Sequence, residues 1–327
     1  MIDLGALRKV FQPKAVGEIL QNLEPVPSVL TQVVFADKKN HPMPVIGIDE
    51  ITETTGTLPL IRYGENPVEL DEGNRVITLV EPEPISVKKV IRPREIQMLS
   101  SMLSQGLKQY ATEQTDRFRR KIQATINALC GQALNGKLQH PIKTDVGTEI
   151  YEFNYGNVQM YTPADTWDTA TANPIADLDE MMTQLQKKNV NGPYIVLAGV
   201  QAYQALLKYL EEKGNVVVAN YTKIDEQAKV PYVEYYGFRI YKVADTYTDV
   251  NGTAKHVIDP KSIVMVGELP FKLRFLSLDD VEYGMVAMPM LVKVVKDPYG
   301  KSLILLAESK PFPIPKVNAI IKAQVLP

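Results

Sequence analysis

The sequence predicts an α+β fold in two bodies: a first domain built on one long helix, and a mixed helix–strand domain inserted into it. Three observations predict this. Apolar residues recur at Leu107, Tyr110, Ala111, Phe118, Ile122, Ile126, Leu129 and Ala133, the three-and-four spacing of a single helical stripe. From Thr169 to Glu268, helical and strand patterns mix around one set of core positions. After that the chain returns to long β runs with no helix of their own, so the closing sheet is expected to pack on the long helix.

Bulk properties exclude several roles. The 327 residues bury a sizeable core, and 45% hydrophobic with 23% charged residues is a globular composition. A net charge of -2 argues against tight unassisted binding of nucleic acid. Cys130 is the single cysteine, which excludes a disulfide framework. The charged start, Met1 to Phe11, does not read as a secretory signal, and no run approaches the ~20 apolar residues of a membrane helix. Folding in a reducing cytoplasm is expected, and the Asn-x-Thr triplets at Asn220 and Asn251 then carry no meaning.

In chain order, Leu4 to Asn22 predicts short helical pieces interrupted by Pro13, an arm that needs another surface, its own chain's or a neighbour's. Ser28 to Phe35 alternates like a strand. His41 to Ile91, dense in Pro and Gly, predicts a long projecting hairpin with a turn at Asp71-Glu72-Gly73-Asn74 and strands at Arg75 to Val80 and Ile85 to Ile91. Within Arg92 to Lys137 the helix spans Leu107 to Asn135, roughly 43 Å at 1.5 Å per residue. Pro93 opens that segment and Gly136 closes it, and Glu113–Arg117 and Asp116–Arg120 stand four apart, acid first. A second hairpin, Glu149 to Tyr161, turns at Tyr155-Gly156-Asn157. Asn173-Pro174 caps a helix to about Lys188, Tyr194 to Ala198 is a buried strand, and Val200 to Lys213 is a helix ended by Gly214. Strands follow at Val216–Ala219, Val233–Tyr236, Phe238–Val243 and Ile263–Val266, then in the tail at Met285–Val295, Leu303–Glu308 and Ala319–Val325. Between the last two, Ser309 to Pro315 reads as an extended proline link that does not donate to a ladder.

No set of polar residues converges on catalysis. His41, His140 and His256 lack metal-ligand spacing, and Gly300-Lys301-Ser302 has Val295 where a phosphate loop needs its first glycine. Asp177-Leu178-Asp179-Glu180 is explained by the helix dipole; Asp279, Asp280 and Glu282 read as a solvated loop ahead of a cation site. The basic run Arg117, Arg119, Arg120 and Lys121, on the rod's polar face, reads either as a solvated face or as a surface for phosphate or a neighbouring subunit's acids. No enzyme, metal or cofactor is expected.

Several motifs point elsewhere. Asn154-Tyr155-Gly156-Asn157, Trp167-Asp168 and Asn173-Pro174-Ile175-Ala176-Asp177-Leu178 resemble, in order and spacing, the lambda-type major capsid protein (E protein) family of tailed phages. Pro93-Arg94-Glu95, Asp297-Pro298 and Glu308-Ser309-Lys310-Pro311-Phe312-Pro313-Ile314-Pro315 fit the same pattern, which spans Pro82 to Pro327. Departures are Asn157, where the family more often has Arg, and Phe312, where it often has Leu.

The resemblance implies a Hong Kong 97-type (HK97-like) capsid fold. Its parts would be an N-terminal arm (1–40), an extended hairpin or E-loop (41–91), a peripheral domain with the spine helix (92–168 and 269–327) and an axial domain (169–268). It implies a major capsid protein that assembles with itself, as hexamers and pentamers, into an icosahedral head shell around double-stranded DNA, bound without sequence specificity. The location would be the virion, with assembly in the host cytoplasm and no membrane. Because the arm begins at once, a separate scaffold or an already processed chain is expected, with a portal and a decoration protein as further partners. Arg62, Glu69, Arg75, Arg92 and Arg94, on the hairpin and at the rod's foot, are the candidate subunit-interface residues. The alternatives are a nanocompartment shell of the same fold, a cytosolic α/β enzyme and a nucleic-acid-binding module.

Overall fold

The computed structural model describes residues 4–50, 76–102, 104–144, 147–212, 222–248, 251–297 and 301–327. Pro13 suits a first helical turn and no interior, so the arm folds as α1 (Leu4–Val10) and α2 (Pro13–Asn22). Both contact the chain's own long helix, with Leu7, Phe11 and Val16 buried. Ser28 to Phe35 does not form the predicted strand. It winds into one wide helical turn, Leu30–Val34, closed by the Phe35 N–H on the Leu30 carbonyl at 2.7 Å. The buried set Leu30, Thr31, Val34 and Phe35 has a helical rhythm, which a strand could not bury on one face.

Four strands follow: β1 (Asp37–His41), β2 (Ile46–Glu50), β3 (Val76–Val80) and β4 (Ile85–Ile91). β2 and β3 pair antiparallel and make the hairpin's stem, whereas β4 belongs to another sheet. The turn predicted at Asp71 to Asn74 lies outside the described residues.

The helical segment comes in two pieces. Pro93 opens α3 (Pro93–Ser100), and the rod proper is α4 (Ser104–Leu134), 31 residues or about 46 Å. At the break the Ser101 hydroxyl donates to the Met98 carbonyl at 2.8 Å, a local bond that competes with the helix ladder. Burial along α4 is uneven: Ala111, Phe118, Ile122 and Ile126 form a stripe, but every residue from Ala128 to Leu134 is buried. Gly136 ends the helix at φ +77, and a Cβ there would stand 2.3 Å from the Gly156 carbonyl oxygen.

β5 (Lys137–Lys143) and β6 (Thr148–Asn154) form a hairpin; β7 (Gln159–Tyr161) does not pair with them. Gly156, at φ +115, turns the chain from one sheet to another, in place of the predicted hairpin turn. The inserted part holds α5 (Pro174–Gln186), β8 (Ile195–Ala198), α6 (Val200–Glu212), β9 (Thr222–Ile224), β10 (Pro231–Tyr235) and β11 (Phe238–Lys242). It ends with β12 (Thr246–Thr248), β13 (Ala254–His256) and β14 (Ser262–Val266). The strand predicted at Val216–Ala219 lies outside the described residues. The tail adds β15 (Lys272–Leu276), β16 (Leu278–Asp280), β17 (Gly284–Val286), β18 (Leu291–Lys296), β19 (Leu303–Ser309), β20 (Pro311–Ile314) and β21 (Ile320–Gln324).

Among the described residues the largest sheet runs β7-β21-β14-β8-β11-β10-β9. All residues of β8 and β14 are buried, so both faces of its centre are covered. The predicted single closing sheet is corrected in three places. β21 leaves the tail for this large sheet, pairing with β14 and β7. Met285–Val295 is broken into β17 and β18. The proline link is itself a strand, β20, at the edge of the sheet β1-β15-β20, where missing N–H donors cost no ladder bond. Of the remaining tail strands, β16 and β17 pair with each other, and β18 and β19 join β4 in the sheet β18-β19-β4.

Two glycines give opposite predictions. Gly136→Ala should destabilise the subunit by about 2 kcal/mol or more, from left-handed strain and a clash with backbone. Gly17→Ala, within α2 and with open space around it, should stabilise by up to about 1 kcal/mol. Urea unfolding of the unassembled subunit measures both.

Candidate subunit interface

Among the described residues, no three His, Cys, Asp or Glu side chains are placed to hold a metal ion. The histidines sit apart in β1, β5 and β13, and burial holds His140 below the ordinary histidine range. Cys130 is buried, and burial pushes its thiol up, away from the reactive thiolate. Ser302, at the apparent phosphate loop, donates instead to Asp297 at 3.3 Å. The basic run on α4 is partly spent internally: Arg119 and Arg120 pair with Asp116 at 2.6 and 2.8 Å, and Arg119 also donates to the Glu24 carbonyl.

The acidic cluster of the tail is not a plain solvated loop. Asp280 is buried beneath it, paired with Lys293 of β18 and accepting the N–H groups of Glu282 and Tyr283 at 2.8 and 3.0 Å. Only Asp279 and Glu282 face solvent.

At the rod's foot, one polar cluster ties three elements together. Lys89 of β4 reaches Glu95 of α3 at 2.7 Å, and Tyr110 and Gln114 of α4 at 3.2 and 3.3 Å. Tyr110 donates to the same Glu95 carboxylate at 3.1 Å; burial, then the Glu95 charge, push its hydroxyl up. Each group is satisfied by the others, so the foot is held in one arrangement. Arg92 and Arg94 lie on its outside, exposed, Arg92 as the N-cap residue of α3 with no side-chain cap bond. Arg62, Glu69 and Arg75 lie outside the described residues.

The motif residues prove to be tethers. The Tyr155 hydroxyl donates to the Pro313 carbonyl at 2.6 Å, its N–H bonds the Gly136 carbonyl, and its ring packs against Phe153 and Phe312. Phe312 thus completes an aromatic cluster. Asp177 does more than offset a dipole. It accepts the Trp167 Nε1–H and the Tyr161 hydroxyl, both at 2.8 Å, while the Trp167 N–H bonds the Val325 carbonyl. Asn173 caps α5 through the Ala176 N–H and accepts the Tyr209 hydroxyl. Sequence alone showed these as a pattern; the partner of Tyr155, on a C-terminal strand 158 residues on, is a tertiary fact.

The sequence matches the family model described as phage major capsid protein E over residues 13–325. The chain belongs to that family. In structure it is similar to the protein proposed as the capsid protein of a prophage of E. coli CFT073, at 15% identity and TM-score 0.62, covering 95% of this chain and 98% of that one. It is also similar to a phage-related protein from Bordetella bronchiseptica RB50, at 11% identity and TM-score 0.54, covering 96% and 97%. No curated protein gives a significant sequence match. The fold is the Hong Kong 97-type capsid fold. The protein is a shell-forming major capsid protein of the virion, a reading favoured over the nanocompartment and the enzyme. Among the described residues, no helix is long and apolar enough to cross a membrane.

One ion pair gives an acid-sensitivity prediction. Arg274 hydrogen-bonds Asp37 at 2.8 Å, joining β1 to β15, and this holds the Asp37 carboxyl below its usual range. Its stabilisation is therefore full above the unfolded value of about 3.9 and is lost as pH falls through the lower folded value. Asp37→Asn should flatten the acid limb of a stability-against-pH curve, measured by chemical unfolding, while leaving a constant loss near pH 7.

Proposed function

We propose that the protein forms hexamers and pentamers that close into an icosahedral head shell around double-stranded DNA, packaged without sequence-specific binding. The family match over residues 13–325 is the observation that carries this reading. The surface supports it: Leu79, Met98, Ile224, Tyr236 and Val281 are exposed apolar residues on separate elements, as many modest interfaces require. The near-neutral net charge of -2 suits a wall around DNA better than a dedicated DNA clamp.

Within that shell, residues 1–40 act as the arm, 41–91 as the E-loop over a neighbour, 92–168 with 269–327 as the peripheral domain and 169–268 as the axial domain. β7 and β21 then bridge the last two through the large sheet. Arg62, Glu69, Arg75, Arg92 and Arg94 are interface charges, and a scaffold, a portal and a decoration protein complete the partner set. No catalytic role accompanies the structural one.

Light scattering and negative-stain microscopy of the purified protein, with and without its neighbouring phage proteins, test the reading. Shells, tubes or capsomer rings are expected. A species that stays monomeric or dimeric under every condition would contradict it.

A further inference from the structure

The turn between β16 and β17 puts an apolar side chain where folding gives it nothing to do. Val281 is 108% exposed, standing clear of the surface, and Met285 beside it is 55% exposed. Asp279 and Glu282, both exposed, flank them. The turn is nonetheless rigidly built. Asp280 is buried under it, holds Lys293 of β18 and caps two backbone N–H groups, and Gly284 closes it at φ +69. A side chain held outward by a buried ion pair has already lost the freedom that binding would otherwise cost.

A second patch has the matching chemistry. Val90 at the end of β4, Met98 on α3 and Met102 just past its end are exposed, with Arg92 and Arg94 on the same stretch of chain. Methionines adapt their shape to an inserted side chain. Among the described residues, Asp279, Glu282, Arg92 and Arg94 form no ion pair, so two acids and two bases there are available to a partner. The patches also attach at opposite edges of one sheet. In the sheet β18-β19-β4, the turn is fastened to one edge strand through Lys293, while Arg92 directly follows the other.

We propose that the β16–β17 turn of one subunit docks on the α3 foot of a second copy, Val281 and Met285 entering the Met98–Met102 patch and Asp279 and Glu282 facing Arg92 and Arg94. The inference rests on the shell reading and assigns one of its contacts. Complementary patches on opposite edges make a head-to-tail interface, the kind that generates rings. The charge match fixes orientation and register, and the apolar knob supplies the desolvated centre.

Charge exchange in the full-length protein tests it, under conditions where the unmodified chain forms particles. Asp279→Lys with Glu282→Lys should abolish particles, and so should Arg92→Glu with Arg94→Glu; all four together should restore them. All these groups are exposed, so each variant should match the parent in thermal unfolding. As a second readout, Glu282→Cys with Arg94→Cys should give a ladder of covalent oligomers with a short bismaleimide, Cys130 being buried. Unimpaired assembly of a reversed pair, failure of the folded fourfold variant to assemble, or absence of the ladder from assembled particles would overturn the contact. An unmodified chain that never forms particles would overturn the shell reading itself, a distinct result.

Discussion

The structure depends on the complete burial of the last two turns of the rod. An ordinary surface helix hides one stripe, but α4 from Ala128 to Leu134 is covered on every side. This is possible because the residues there are mostly small. At Gly131 the partner Val257 comes so near that a Cβ would stand 2.2 Å from its methyl group. Gln132, the one large polar side chain in that stretch, is satisfied by the Gln139 N–H at 3.1 Å. Each fully buried Leu adds about 1.5–3 kcal/mol, and the helix end becomes the post to which other parts are fastened. Gly136 passes the chain to Tyr155, and Tyr155 to the β20 strand.

A post fixed at one end has a defined other end. The first turns of α4 are largely exposed, and the foot is ordered by the Lys89–Glu95–Tyr110–Gln114 cluster together with the buried Ile91, Ile96 and Leu99. Lys89 and Glu95 are each about a third exposed, so their pairing sets geometry more than it adds stability. That division suits a shell protein. The buried end keeps each copy alike, and the foot presents charged and apolar groups in a fixed arrangement without a large, sticky face. Many such weak, repeated contacts add up in a closed assembly.

Legibility in the sequence followed the range of the physics involved. The rod was plain from Phe118, Ile122, Ile126 and Leu129, because helical periodicity is a property of one segment. So were α1 and α2, separated by Pro13, α5, opened by Asn173-Pro174, and α6, marked by its inward leucines. Strand partners were not, because pairing is decided by the rest of the molecule. β21 went to β14 and β7, the proline strand β20 found an edge, and Leu30–Val34 coiled although it alternates. Of the candidate interface, Arg92 and Arg94 were placed at the foot from their position after β4. The acidic turn was seen as a cluster, but the burial of Asp280 under Lys293 has no local signal. Asp177 likewise reads as a first-turn acid until Trp167 is seen to bond it.

Hydrogen exchange of the unassembled subunit, resolved along α4, tests this account most directly. The amides from Ile126 to Leu134 should exchange only through global unfolding, and those up to about Ala111 much faster, through local opening of the foot. Uniform protection along the rod, or faster exchange at the buried end, would contradict the account.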